Sequence, residues 1–334
     1  MTGPAFPAAR LARRSVAWLW PVAGLAALIA AVASPGLRHL LAEALAHVRP
    51  LAVLAALPGQ GAAVLLCGAA LFVLRPGVSF RASVTARLLR DAGANLLVIL
   101  PGLGEVIGAR ALVLAGGQAR AAVTASALDN LAEALAQLPF ALLAVAVLPR
   151  LLRWPIALSA AALAPWLFAL AAIAALATWL VVRAARQGRG TFGRLAARVA
   201  GELALLRREA AGRRRAMPGA IVLHALAWAA GGVQVWMIAG ALSLPLGLFG
   251  AVVIESMTYA ARGIAFFLPA GLLVQEATLV LAGLAYGLSP IQSLTIALVL
   301  RLRDVIFGLP LLVWPWLEFR RRRTAADAGK SGVP

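Results

Sequence analysis

The chain has a single cysteine, Cys67, which excludes an intrachain disulfide framework and reads as a small apolar filler within a hydrophobic run. Charge is scarce as well. Of 334 residues only 13% are charged while 63% are hydrophobic, and a soluble domain of that length would lack the polar surface to cover its core. HExxH, GxSxG, Walker-type loops and Cys/His metal spacings are all missing, so no cofactor or metal is expected and the chain does not read as an enzyme. An aspartate-based membrane enzyme, such as an intramembrane protease or an integral transferase, is the enzymatic alternative that these absences leave open.

What is abundant is uncharged length. Val16–Ala33, Leu51–Leu74 and Pro155–Val182 each run 18 residues or more without a charge. A helix of that length crosses a hydrocarbon layer about 30 Å thick. Backbone groups in lipid must be paired internally, and these runs are apolar all round rather than alternating, so helices and not barrel strands are predicted. Arg13 and Arg14, the apolar run and Ala31-Val32-Ala33 imitate a secretory signal. The run is long for a signal core and is followed by further spans, so a retained first helix is expected.

The net charge of +19 is carried by arginine clusters that flank the apolar runs: Arg10 to Arg14, Arg75 and Arg81, Arg183 to Arg215, and Arg320 to Arg323. They read as positive-inside anchors that also meet anionic lipid headgroups, which places both termini in the cytoplasm of a bacterial inner membrane. The aromatic–basic interleaving of a single-strand binder is missing, and nucleic acid is not expected as a partner.

Threading the chain by these arginines divides it into a cytoplasmic N-terminus (1–15), a first span with an outer amphipathic helix (16–50), a first repeat (51–182), a basic amphipathic segment on the cytoplasmic surface (183–216), a second repeat (217–319) and a basic tail (320–334). His39, Glu43 and His47 share one face of the outer helix at four-residue spacing, a pattern that could hold a metal but reads as a solvated stripe. Within the repeats, residues 82–115 form two short helices broken at Pro101-Gly102. Residues 248–287 form another two, broken at Pro269-Ala270-Gly271. Each pair reads as a re-entrant hairpin, followed by a long helix at 118–149 and at 290–318. The predicted fold is an all-α polytopic membrane protein with about six transmembrane helices plus two re-entrant helical hairpins in inverted-topology repeats.

Six of the twelve acids, Glu105, Asp129, Glu133, Glu255, Glu276 and Asp304, fall within apolar helices. An acid at mid-membrane costs roughly 2.5–3.5 kcal/mol on insertion scales, so each needs a partner or a task. By spacing, Glu105 has Arg110, Asp304 has Arg301, and Glu255 has Arg262 as candidate partners. The halves match at the Pro breaks, at Glu105 with Glu276, at Asp129 with Asp304, and at Pro139 with Pro310. The expected site is a polar path lined by Glu105, Arg110, Asp129, Arg262, Gln275, Glu276, Arg303 and Asp304. Buried ion pairs that only fix helix register are the structural alternative. His224 stands by itself on an apolar helix and reads as an interior histidine.

Leu-Pro101-Gly-Leu-Gly-Glu105 with Ala109-Arg110, and Phe-Leu-Pro269-Ala-Gly-Leu-Leu-Val-Gln275-Glu276 with Tyr286-Gly-Leu-Ser289-Pro, resemble the two hallmark segments of the flippase-like family named for the transmembrane region of lysylphosphatidylglycerol synthases. The resemblance covers roughly residues 15–320. Gln275-Glu276 joined to Arg301-Leu-Arg303-Asp304 looks most like the subgroup associated with hopanoid biosynthesis. It implies an inner-membrane protein that moves a lipid between leaflets, a hopanoid or a related lipid in that subgroup, with lipid-biosynthesis enzymes as further partners. The short stretch after Arg323 leaves no room for an aminoacyl-transferase domain, so lysine transfer to lipid is not expected. Asp129-Asn130 departs from the arginine-before-acid pattern of relatives. A non-transporting scaffold for lipid-synthesis enzymes and a small-solute or ion carrier are the rival functions.

Overall fold

The computed structural model describes residues 34–74, 78–97, 102–151, 211–264 and 271–330, with a few single positions between 201 and 208. The predicted spans at 16–33 and 155–182 and about two thirds of the basic segment 183–216 lie outside the described residues. Among those described there is no strand. Nine helices follow one another: α1 (Pro35–Ala46), α2 (Pro50–Leu74), α3 (Phe80–Leu96), α4 (Leu103–Leu114), α5 (Ala119–Leu151), α6 (Ala216–Ala241), α7 (Leu248–Ile264), α8 (Gly271–Ala285) and α9 (Pro290–Lys330).

The breaks fall where the sequence places them, for local reasons. Ser79 caps α3 by accepting the Ala82 amide at 3.2 Å. α3 ends before Pro101, and Gly102, at φ 83°, takes the left-handed conformation that starts α4. α1 coincides with the helix expected at the outer face. His39 Nδ1 lies 3.8 Å from Glu43 at its exposed face, and His47 Nδ1 bonds the Glu43 carbonyl oxygen at 2.8 Å. α1 is tied to α9, where Thr295 Oγ1 donates to the Ala44 carbonyl at 3.1 Å.

α2, α5 (over Ala119–Val147) and α6 are long and apolar enough to cross a membrane. α9 is long enough but carries Arg301, Arg303 and Asp304 within its apolar stretch. Large apolar side chains stand outward along these helices, among them Leu54, Leu65, Leu138, Leu142, Leu226, Leu309 and Leu312. A lipid environment accepts such a surface, whereas water would not.

The packing has a regular plan. α2 lies along α6 in the most extensive helix contact. α3 packs on α2 and pairs with α4, while α7 packs on α6 and pairs with α8. α5 lies against α4 but also against α6 and α7; α9 lies against α8 but also against α2 and α3. The long helix of each half therefore reaches across to the first hairpin helix of the other. One core joins Leu71, Leu89, Leu112 and Ala125 in the first half, and another joins Ile238, Ile254, Leu279 and Ile296, mostly in the second.

Two glycines make the spans and hairpins meet closely. A Cβ on Gly68 would stand 2.7 Å from the Val84 Cα, and one on Gly232 would stand 3.0 Å from the Val252 Cα. Val84 and Val252 each lie four residues into their hairpin helix. Small residues of this kind let membrane helices approach backbone to backbone.

Candidate functional site

The charged residues of the helix interiors fall into two clusters. The first is organised by α3, where Arg87, Arg90 and Asp91 lie at i, i+3 and i+4 and so share a face. Arg87, 4% exposed, donates from Nε to Asp91 at 2.9 Å and from Nη1 to Asp129 at 3.2 Å. It also grips both oxygens of Glu133 on α5, at 3.0 and 2.7 Å. Arg90 donates to Glu105 of α4 at 2.8 Å and to Glu133 at 3.0 Å. On the far side, the other Asp129 oxygen meets His224 Nε2 of α6 at 2.9 Å, and His224 is fully buried.

The second cluster is organised by α9. Arg301 donates to Glu276 of α8 at 2.7 Å, to Gln275 at 2.9 Å and to Asp304 at 3.5 Å. Arg303 holds the other Asp304 oxygen at 2.6 Å and donates to the buried Gln234 of α6. The Gln234 amide in turn donates to the Ala56 carbonyl of α2. A small recess with room for about one water molecule lies here, lined by Gln275, Glu276, Leu279, Ala297, Leu300 and Arg301.

The clusters share one motif. In each, a guanidinium bridges the hairpin glutamate and an acid of the following long helix: Glu105–Arg90–Glu133 and Glu276–Arg301–Asp304. The bridging arginine comes from α3 in one and from α9 in the other. In both, one glutamate oxygen is bonded while the second, Oε2 of Glu105 and Oε2 of Glu276, is buried without a hydrogen-bond partner.

The turns between helices fix the correspondence of positions. Gly116 at φ 99° and Gly287 at φ 80° close two turns with the same bonds: Gly116 to Val113 and Gly117 to Leu112 in one, Gly287 to Leu284 and Leu288 to Gly283 in the other. Counted from these glycines, Glu105 corresponds to Glu276, and the counterpart of Asp304 is Glu133 rather than Asp129, with 28 residues from hairpin glutamate to long-helix acid in both halves.

Of the residues expected from sequence, Glu105 and Asp129 belong to the first cluster, and Gln275, Glu276, Arg303 and Asp304 to the second. The expected Asp304–Arg301 contact is present. Glu105 finds Arg90 of the neighbouring helix, 15 residues back, where helical spacing alone suggested Arg110. Arg110 is half-buried on α4. The Arg262 side chain lies outside the described residues. His224 is interior, as expected, but it is a partner of Asp129 rather than a lone group. Sequence reasoning did not assign Arg87, Arg90, Glu133, Gln234 or Arg301 to the site. The available signal was the three charges Arg87, Arg90 and Asp91 on one face of a short membrane-embedded helix. Among the described residues, no group of three His, Cys, Asp or Glu side chains is placed to hold a metal ion.

Residues 2–311 match the family described as the lysylphosphatidylglycerol synthase TM region. The chain belongs to this family. Membership makes it a membrane protein, in accord with the three long apolar helices among the described residues, and it is consistent with a role connected to membrane lipid. Neither the curated proteins nor the solved structures compared with it gave a match.

Proposed function

We propose that this member of the family is a lipid translocator of the bacterial inner membrane, with both termini cytoplasmic, that moves a lipid headgroup through the interface between two inverted repeats without chemical conversion. The observation that carries the reading is the pair of hairpin glutamates. Each is positioned by an arginine through one oxygen and keeps the other buried and unpartnered. A buried acceptor without a donor costs about 1–3 kcal/mol, and a passing hydroxyl or ammonium group would satisfy it.

The inverted arrangement is supported by the exchange of α5 and α9 between halves and by the matched glycine turns. Re-entrance is supported by length. At about 1.5 Å per residue, α3 and α7 reach roughly 26 Å, and α4 and α8 about 18 and 23 Å, less than the roughly 30 Å of a hydrocarbon core. On this reading α9 is a span whose buried charges belong to the path. The cargo is a lipid whose headgroup is rich in donors, and a hopanoid with a hydroxylated side chain fits that description. Anionic lipids and lipid-biosynthesis enzymes are the expected partners.

The test is headgroup access in proteoliposomes. Phosphatidylglycerol and bacteriohopanetetrol both carry vicinal diols, which impermeant periodate cleaves only in the outer leaflet. Purified protein should expose the inner-leaflet pool, and Glu276→Gln or Asp304→Asn should stop this without loss of expression. If the wild-type protein moves neither lipid while folded, the scaffold reading replaces this one.

A further inference from the structure

The first cluster does not balance. Four carboxylates, Asp91, Glu105, Asp129 and Glu133, are gathered around two guanidiniums, Arg87 and Arg90. That is the count among the described residues. An uncompensated charge buried in a membrane protein is costly, and such clusters take up a proton or a counter-charge instead.

The residue placed to hold that charge is His224. It is fully buried, it meets Asp129 through Nε2 at 2.9 Å, and its second ring nitrogen, Nδ1, is buried without a partner. Arg87 donates to the other Asp129 oxygen, an arrangement that suits a carboxylate, and in that form the Nε2 proton belongs to the imidazole. Neutral His224 then has a bare lone pair at Nδ1. No other titratable group stands on α6. From α5 it faces Asp129, with Glu133 in electrostatic reach, and from α3 it faces Arg87 behind Asp129. α2 brings only Cys67 among titratable groups, and from α7 Glu255 packs at Gly231, two turns further along α6. α9 meets α6 at Arg303, through Gln234.

We infer that the first cluster binds one exchangeable proton at His224 Nδ1, and that lipid movement is coupled to it. The coupling rests on the translocator reading above; the proton site does not. Taking up the proton adds a cation to a cluster in which, among the described residues, acids outnumber guanidiniums. It also creates an Nδ1–H donor with no acceptor in this arrangement. The neutral form therefore favours the conformation described here and the charged form favours a rearranged one. A difference of that kind is what a coupling ion needs in order to shift a conformational equilibrium.

The chain has three histidines, and His39 and His47 are exposed on α1. In the full-length, tag-free His39→Gln/His47→Gln protein, His224 gives the only imidazole signals in nitrogen-15 NMR. Recorded from about pH 5 to about pH 9, these signals should show both the neutral and the protonated imidazole, and Asp129→Asn should change their proportion. Signals that stay constant across that range overturn the site.

The coupling is then read in proteoliposomes with phosphatidylglycerol and periodate. For one proton per lipid, a one-unit pH difference should skew the leaflet distribution by up to about tenfold. In His224→Gln, which can still donate to Asp129, the pH difference should no longer skew the distribution. Wild-type protein that moves lipid equally with and without the gradient overturns the coupling while leaving translocation standing. Wild-type protein that moves no lipid overturns the coupling through the translocator reading, and the NMR titration decides the site separately.

Discussion

Replacing either side of the Glu276–Arg301 pair separates a binding role from a structural one, because the two changes leave different things behind. In Glu276→Gln the amide oxygen can take the place of Oε1 and still accept from Arg301, which also keeps Asp304 and Gln275. The loss is the difference between a charge-assisted and a neutral hydrogen bond, about 1 kcal/mol. In Arg301→Met, Glu276 loses its cation outright, while Asp304 retains Arg303. Breaking a buried pair costs about 3–5 kcal/mol, and an exposed pair is worth less than about 1 kcal/mol. Both side chains here are 24% exposed, so a loss of about 2 kcal/mol lies between those limits. Thermal unfolding in detergent should therefore rank wild type, Glu276→Gln and Arg301→Met in that order, with the first two close. Lipid movement should nevertheless fall at least tenfold in Glu276→Gln, because an amide NH2 then takes the place of the unpartnered acceptor oxygen. Wild-type lipid movement in Glu276→Gln, or a stability loss equal to that of Arg301→Met, would refute the reasoning.

Arg87 is surrounded by three acids and almost completely buried, so Arg87→Met should destabilise by about 3–5 kcal/mol. Adding Glu133→Gln should recover part of that loss in a double-mutant cycle of unfolding midpoints, and additive effects would contradict the contact. Gly68→Val and Gly232→Val should each cost at least about 1–3 kcal/mol by forcing a span away from its hairpin, and unchanged melting of either would contradict the close approach.

A good deal of the helical plan was legible because each signal is local. The interruption near Pro101-Gly102 is a matter of backbone sterics, and α3 and α4 end and begin on either side of it. The α2 and α6 spans follow from uncharged length, and their observed limits lie within two residues of the predicted ones. Pairing was less legible. Spacing along one helix identifies Arg301 with Asp304, since both stand on α9. It fails for Glu105, whose arginine is on the other arm of the hairpin, and for two of the three acids around Arg87, which lie 42 and 46 residues away. A match by residue type paired Asp129 with Asp304, whereas counting from the two glycine turns pairs Glu133 with it. The turn geometry chooses Glu133, because a register is set by backbone position and not by the kind of acid.

By itself, then, the sequence determined that the chain is a helical membrane protein and where several of its helices stop, because apolar length and proline act within a few residues. Only the tertiary structure decided which charges meet. It brought Arg90 from a hairpin helix to the same bridging place that Arg301 takes from a long helix, and it joined His224 to Asp129 across 95 residues. Those contacts depend on close glycine crossings and on long helices that reach into the opposite half. Neither leaves a trace in the spacing of the residues they bring together.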